Sequence, residues 1–439
     1  MGDSSRKFRV QIVASHASPS WLNGVSVGEW KEIPGSVFSI GVNDHYLEKL
    51  GLTPPSQRPA PHTDRTDWGT NKYGHPAWRY EDTTWTARYF GFHGMAVDQR
   101  NSRIYVGSGD AIFPDNSYHY LDLELDTPAW TVSAITGSHK DYYKHPARGG
   151  RTYPTPVPGD FAEIDLYYDG RHRAGHTYWN QQIIGARDWL VHFTSNQFYP
   201  TDEGSSPTPH IADLAAGQWV ITRPPLLIEP LKNSKGSPIS EGDKRYWKEK
   251  HKTTEDVYMF RGDILWRWVR ASNTYEQVYD FQPLYGQWDM YDVGGAINHE
   301  EGYILCEGGV GSGHATRAIF VLDLTKSEGA NLTSKTDITE FTGPARDQIS
   351  LGRDGSMQWC SDLKKFLAYK DTIDVFSIER RGPTTFYCET MPRIGDLPGD
   401  QIIRGGLGGM YTKWQYIPRL HGFVAHWKLN QAMRFFRTG

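Results

Sequence analysis

The chain has 439 residues and a formal net charge of −4, from 47 basic and 51 acidic side chains, so it carries no bulk positive field with which to hold a polyanion such as nucleic acid. Its 25 Tyr, 18 Phe and 16 Trp stand beside 45 Gly and 26 Pro, the composition of aromatic strands punctuated by turns, which disfavours helix. Cys306, Cys360 and Cys388 form an odd set without CxxC spacing and are expected to be buried thiols.

Residues 1–27 read as an N-terminal arm. The opening "MGDSSRKFRVQIVASHASP" has one short apolar patch but neither the continuous apolar core nor the small-residue cleavage site of a secretory signal. No run of about 18 apolar residues occurs, so membrane insertion is not expected. Synthesis in the cytoplasm without a signal peptide follows. "GEWKEIPGS", from Gly28, then reads as a strand around Trp30 with no hairpin ahead of it.

From residue 96 onward the chain repeats itself. "AVDQRNSRIYV" from Ala96, "AINHEEGYIL" from Ala296, "WCSDLKKFLAY" from Trp359 and "YIPRLHGFVAH" from Tyr416 each read as the end of a buried strand, a polar turn and a second apolar strand. "TYWNQQIIGARDWLVHF" from Thr177 and "YMFRGDILWRWV" from Tyr258 are weaker copies, the latter with a turn shortened to Arg261, Gly262 and Asp263. A third strand follows in "YLDLEL" from Tyr120, "VLDLTK" from Val321, and, more loosely, "IADLAA" from Ile211 and "FSIERR" from Phe376. Period-two alternation places Leu121, Leu123 and Leu125 on one face. Fourth strands are expected at Trp130, Trp219, Val278 with Tyr279, Phe341, and Phe386 with Tyr387.

That makes six hairpins and five fourth strands, and the last copy runs out at "MRFFRTG". The segment around Trp30 supplies the missing strand. Circular closure by an N-terminal strand leaves no open edge between first and last blades. The expected fold is therefore all-β: a six-bladed propeller of four-stranded blades over residues 28–439, with seven blades as the alternative. Insertions at about 43–90, 137–173 and 223–256 lack sustained periodicity, and loops of that length usually carry function.

Several segments invite a chemical reading. The first insertion holds Trp68, Tyr73, Trp78, Tyr80 and Trp85, suited to stacking on sugar rings or anchoring an interface. Asp110 and Asp115 in "GSGDAIFPDNS", with His314 in "EGGVGSGHAT", fall on equivalent connections between second and third strands and could share one polar rim. The latter is no phosphate loop: His314 stands where the Walker Lys is needed, and a strand follows. Asp160, Glu163, Asp165 and Asp169 are close in sequence, as glycoside hydrolysis would ask, but loop spacing fixes no separation between carboxyl groups. His172, His176 and His192 match no zinc spacing, so no metal and no cofactor is expected. Lys244, Arg245, Lys248, Lys250 and Lys252 read as a solvated basic loop, or as phosphate or partner contacts if the body lined a channel carrying DNA.

Taken together, "WKEIPGS", "RIYVGSGD", "SYHYLDLELDTPAW", "RAGHTYWNQQ" and "WQYIPRLHGFVAHW" resemble the kelch and galactose-oxidase type of propeller, in the divergent form found in bacterial and bacteriophage proteins. For the copper radical oxidases of that type the resemblance would imply a Tyr cross-linked to Cys, a second Tyr beside a His, and a further His. The Tyr-His dipeptide here, Tyr118 and His119, begins an outer strand, and no Cys has an evident partner, so that chemistry is not expected. The resemblance implies instead a non-catalytic binding and assembly platform, a tail or capsid-associated structural protein of a tailed phage. Its partners would be other virion proteins or copies of itself, and its location the virion. A carbohydrate-binding or carbohydrate-active propeller, whether lectin, lyase or glycosidase, is the alternative.

Overall fold

Six small sheets, antiparallel but for one added edge strand, follow one another along the chain in a computed structural model that describes residues 18–37, 94–107, 118–133, 179, 181–193, 209–219, 247–261, 264–280, 288–310, 316–325, 340–349, 355–370, 373–395, 411–426 and 432–439. After β1 (Trp30–Glu32), the first blade is β2 (Ala96–Asp98), β3 (Arg103–Gly107), β4 (Tyr118–Asp122) and β5 (Trp130–Val132). The second is β6 (Gln181–Ile184), β7 (Trp189–His192), β8 (His210–Asp213) and β9 (Gln218–Trp219). The third is β10 (Lys248–Lys250), β11 (Val257–Arg261), β12 (Ile264–Val269) and β13 (Thr274–Asp280). The fourth holds β14 (Trp288–Asn298), β15 (Tyr303–Val310) and β16 (Thr316–Asp323), after which comes β17 (Glu340–Thr342). The fifth is β18 (Gly355–Cys360), β19 (Lys365–Lys370), β20 (Val375–Arg380) and β21 (Thr385–Thr390), and the sixth is β22 (Trp414–Ile417), β23 (Gly422–Ala425) and β24 (Arg434–Arg437).

The first strands of the blades stand side by side about an axis, β2 against β6, β6 against β10, β14 against β18 and β18 against β22. β1 closes the ring as the outer strand of the sixth blade, antiparallel to β24, with Trp30 opposite Phe436 and Glu32 opposite Arg434. The indole of Trp30 is 3% exposed, packs on Phe436 at 5.1 Å and Tyr369 at 5.5 Å, and donates from Nε1 to the Ile373 carbonyl at 3.1 Å. Gly28 lets the chain enter this position. Its φ is +83°, and a Cβ there would stand 2.6 Å from the Pro392 carbonyl oxygen.

The core lies between blades rather than at one centre. In β23, Phe423 packs toward the fifth blade and Val424 toward the first, and in β24 Phe436 and Phe435 divide the same way. In β19, Phe366 and Ala368 face the fourth blade while Leu367 and Tyr369 face the sixth. Both faces of such a strand are buried, so it reads as a continuous apolar run instead of an alternating one. That is the physical basis of the repeat seen in the sequence.

The turn of the repeat is equally regular. Residues 99–102, 185–188, 299–302, 361–364 and 418–421 each link a first strand to a second, and the last residue of each has positive φ: Ser102, Asp188, Gly302, Lys364 and His421. The carbonyl of that residue then receives the backbone N–H that ends the third strand, from Leu123 to Ser102, Leu214 to Asp188 and Leu324 to Gly302, at 2.7 to 3.1 Å. The preceding Asp122, Asp213 and Asp323 each accept a backbone N–H from the following turn. The recurring Asp-Leu pair of the third strand is thus a turn device.

Four expectations need correction. The hairpin from Tyr258 is formed by the second and third strands of its blade, not the first and second. Its inner strand is β10, "KEK", whose polar letters hide it, so the segment read as loop up to residue 256 contains a strand. Phe341 does not complete the fourth blade: β17 runs parallel to β21, with Phe341 opposite Phe386, on the outer edge of the fifth sheet. Leu125 is 50% exposed while Leu121 and Leu123 are fully buried, because the strand stops at Asp122 and the chain turns. The three cysteines are free and buried, as expected.

Trp30→Ala removes the interlocking side chain of the closing strand and is expected to cost about 3–5 kcal/mol in urea unfolding, the range for burying an aromatic and losing it. Lys364, exposed and at φ 54°, tests the turn rule: Lys364→Val lowers stability by about 1–2 kcal/mol, whereas Lys364→Gly holds or raises it.

Candidate functional site

Three glutamines occupy one register position on the inner strands, two residues before the last pair of the first hairpin: Gln182 opposite Val191, Gln358 opposite Leu367 and Gln415 opposite Val424. Gln182 donates from Nε2 to the Lys248 carbonyl of the next blade at 3.2 Å. Gln358 accepts the Tyr416 N–H at 2.7 Å and donates to Gln415 Oε1 at 2.9 Å, and Gln415 donates to the Thr412 carbonyl. Thr412 Oγ1 accepts the Met95 N–H at 2.8 Å, which joins the sixth blade to the first. Between the second, third and fourth blades the linking groups are ionisable: Lys250 donates from Nζ to the Ile183 carbonyl at 2.6 Å, and Glu249 Oε1 accepts the Ile297 N–H at 3.3 Å. Inner strands cannot pair with one another as a sheet, so side chains satisfy their backbone groups.

The first-to-second turns all emerge at one end of the ring, and there every interface between blades carries a polar link. Arg419 reaches the Arg100 carbonyl and Glu124, and Arg100 reaches the Gly185 carbonyl and Asp188. Glu255 accepts the N–H groups of Gly185 at 2.6 Å and Ala186 at 3.0 Å. Lys252 N–H donates to His299 Nδ1 at 3.3 Å, Arg380 meets Glu301 at 3.2 Å, and Asp362 meets His421 and Thr438. Burial would push the Asp98 carboxyl up, but hydrogen bonds from Arg100 and Asn101 outweigh it and hold it below the ordinary range.

Along the axis runs a cavity of about 260 Å³. The turn residues Gln99, Thr253, Glu300, Ser361 and Pro418 line it at the turn end. Trp179, Gln181, Trp359 and Tyr416 line it as well. Glu249 and His299 face each other in its wall, Oε1 to Nε2 3.5 Å apart. With Nδ1 accepting from Lys252, the proton of the neutral His299 ring sits on Nε2 and points at Glu249. Burial, with the ammonium groups of Lys252 and Lys250 adding to it, pushes His299 down to about 3. Burial also pushes Glu249 well above the ordinary carboxylate value, against hydrogen bonds from Ile297 and Trp247.

The basic segment is divided by this geometry. Lys248 is 2% exposed and Lys250 is largely buried against Glu255, both on an inner strand and neither a solvated phosphate contact; Lys252 lines the cavity at the turn end. Of the remaining expected site residues, Trp68, Tyr73, Trp78, Tyr80, Trp85, Asp110, Asp115, Lys244, Arg245 and His314 lie outside the described residues, as does the acidic stretch 160–169. His192 is buried in β7. Among the described residues no group of three or more His, Cys, Asp or Glu is placed to hold a metal ion, and no helix is long and apolar enough to cross a membrane. The glutamine register was open to sequence reading, since "QII", "QWC" and "QYI" each precede a four-residue turn.

No family model matches the chain, and no curated protein matches it. Among solved structures, it is similar to a chain of a mitotic checkpoint complex, with 8% identity and a TM-score of 0.39, covering 79% of this chain and 90% of that one. The structure of U3-55K gives 11% identity and a TM-score of 0.37, with coverage of 79% and 95%. A Penicillium chrysogenum alpha-L-arabinanase complexed with arabinobiose gives 9% identity and a TM-score of 0.43, with coverage of 78% and 92%.

His299 makes stability pH-dependent in a defined direction. The unfolded chain takes up its proton near 6.5 and the folded chain only near 3, so the contribution is full above 6.5 and is lost as pH falls from 6.5 toward 3. In urea titrations across that window, wild type is expected to lose stability faster than His299→Gln, with a slope difference approaching one proton. Parallel profiles would mean that His299 titrates normally.

Proposed function

We propose that the protein is a non-catalytic binding and assembly platform, and that it serves as a tail or capsid-associated structural component of a tailed bacteriophage particle. What supports the platform reading most is the difference between the two ends of the ring. At the turn end the first-to-second links are four to six residues long and are tied to neighbouring blades by Arg100, Glu255, Arg380 and Arg419. Because strands alternate in direction, the links from one blade to the next begin and end at the opposite end. The long segments 38–93, 134–178 and 220–246 belong to those links. A ring whose turn end is tied blade to blade leaves the opposite end, where links between blades begin and end, as the face for attachment to neighbours. The particle assignment draws on the resemblance of the repeat motifs to divergent kelch-like propellers of bacterial and phage proteins.

Mass spectrometry of purified phage particles is the test. The chain is expected at a fixed copy number per particle, with cross-links from lysines of segment 220–246 to a neighbouring protein or a second copy. Absence from particles would sink the virion reading. The carbohydrate alternative draws on the aromatic run from Trp68 to Trp85. It predicts glycan-array binding that Trp78→Ala abolishes while the fold stays intact.

A further inference from the structure

We infer that the third-blade turn, residues 251–256, is a proton-operated latch: protons taken up by His251 and His299 release it from the fourth blade and open the seam between those two blades at the turn end of the ring. The inference goes beyond the platform role and does not depend on what the ring is attached to.

Hydrogen-bond geometry carries it. In the fourth blade's turn, Nδ1 of His299 accepts the N–H of Lys252 at 3.3 Å. Nδ1 of His251 accepts the N–H groups of Thr253 and Thr254, each at 3.3 Å. The two rings meet edge to face, centroids 5.6 Å apart. A backbone N–H can only donate, and an imidazolium, with hydrogen on both nitrogens, can only donate as well. Each ring therefore holds its part of the turn only while it is neutral.

This seam differs from its neighbours. Arg419, Arg100 and Arg380 tie adjacent blades by donating to carboxylates, and a donor is not lost by gaining a proton. Between the third and fourth blades, polar contacts at the turn end are Lys252 to His299, Ile297 N–H to Glu249 Oε1 at 3.3 Å, and Glu249 Oε1 to His299 Nε2 at 3.5 Å. Each runs through His299 or its Glu249 partner. His421, in the sixth blade's turn, has the opposite sense: it faces Asp362 at 3.2 Å, a contact that a proton strengthens.

The surroundings oppose protonation while the turn is closed. Burial, then Lys252 and Lys250 of the third blade, act against a proton on His299, while Glu300 of its own turn acts for it; Lys364 of the fifth blade stands 3.9 Å from that Glu300 carboxylate. Glu249 is held toward its neutral form and supplies no compensating charge. Burial and the His299 ring act against a proton on His251, Asp256 acts for it, and Tyr258 flanks the ring at 6.4 Å. Opening the turn separates these groups and returns each imidazole toward its ordinary range. Acid then favours the open form. For His299, at about 3 when closed and 6.5 when free, the opening constant is expected to rise about 25-fold from pH 7 to pH 5. His251 adds to that rise.

Hydrogen exchange of the full chain, read by mass spectrometry and corrected for the pH dependence of unprotected amides, tests this. From pH 7 to pH 5, protection of residues 251–256 is expected to fall about 25-fold or more, while turns 99–102 and 418–421 and the buried strands β19 and β23 keep theirs. His299→Gln, whose amide oxygen accepts without titrating, is expected to remove most of the fall, and His421→Gln none of it. Unchanged protection of residues 251–256 in wild type overturns the inference. So does an equal fall in every turn, which is general unfolding, or a fall that folded His299→Gln leaves intact. Should His299→Gln not fold at pH 7, the contrast between turns in wild type decides.

Discussion

The backbone ladder between β1 and β24 is the constraint on which the ring depends. Each blade is too small to bury both of its faces, and its apolar side chains are covered only by the blades on either side. An open row would leave two terminal faces wet. Closing the last sheet with a strand from the other end of the chain fixes the sixth blade to residues 28–33 through three paired residues and the indole of Trp30. Phe435 and Ile33 then fall into the cluster shared with the first blade. Hydrophobic burial supplies the drive, and the ladder decides that it is spent on a circle.

At the centre a different physics applies. Six strand edges converge with their N–H and C=O groups turned inward and with no strand to pair with. Glutamine answers this three times because its amide donates and accepts at the reach of one neighbouring strand. Where the third blade meets its neighbours, Lys250 joins Gln182 on one side and Glu249 takes its place on the other. Charged groups in that place are costly to bury, which is why Glu249 and His299 are driven toward their neutral forms. The axis is therefore polar in composition, and two of its ionisable groups, Glu249 and His299, are held toward neutrality.

The architecture was legible because the blades bury both faces and repeat a turn with a left-handed final residue. Both leave marks in composition and spacing that survive the loss of recognisable motifs. The closing strand was legible by counting, since a fourth strand was missing at one end and surplus at the other. The inner strand β10 was not legible: "KEK" looks like solvated loop because its side chains serve as backbone partners and ion pairs rather than as core. The parallel placement of β17 was equally hidden, since "EFT" carries no sign of which sheet it joins. Most of the axial site went unread for a related reason. Gln182, Gln358 and Gln415 are ordinary polar letters until the register of three hairpins is laid side by side.

β17 leaves one further mark on the molecule. It follows the fourth blade in sequence yet hydrogen-bonds to the outer strand of the fifth, with Gly343 at φ +91° allowing the chain to pass close to Cys388. The two blades are thereby stitched together at the rim as well as packed at their faces. Among the described residues the fifth sheet therefore carries five strands and the fourth three, so the outer edge of the fifth blade is made by residues that follow the fourth. Loss of β17 would uncover the outer edge of β21, so the fifth blade depends for its rim on residues that precede it in the chain.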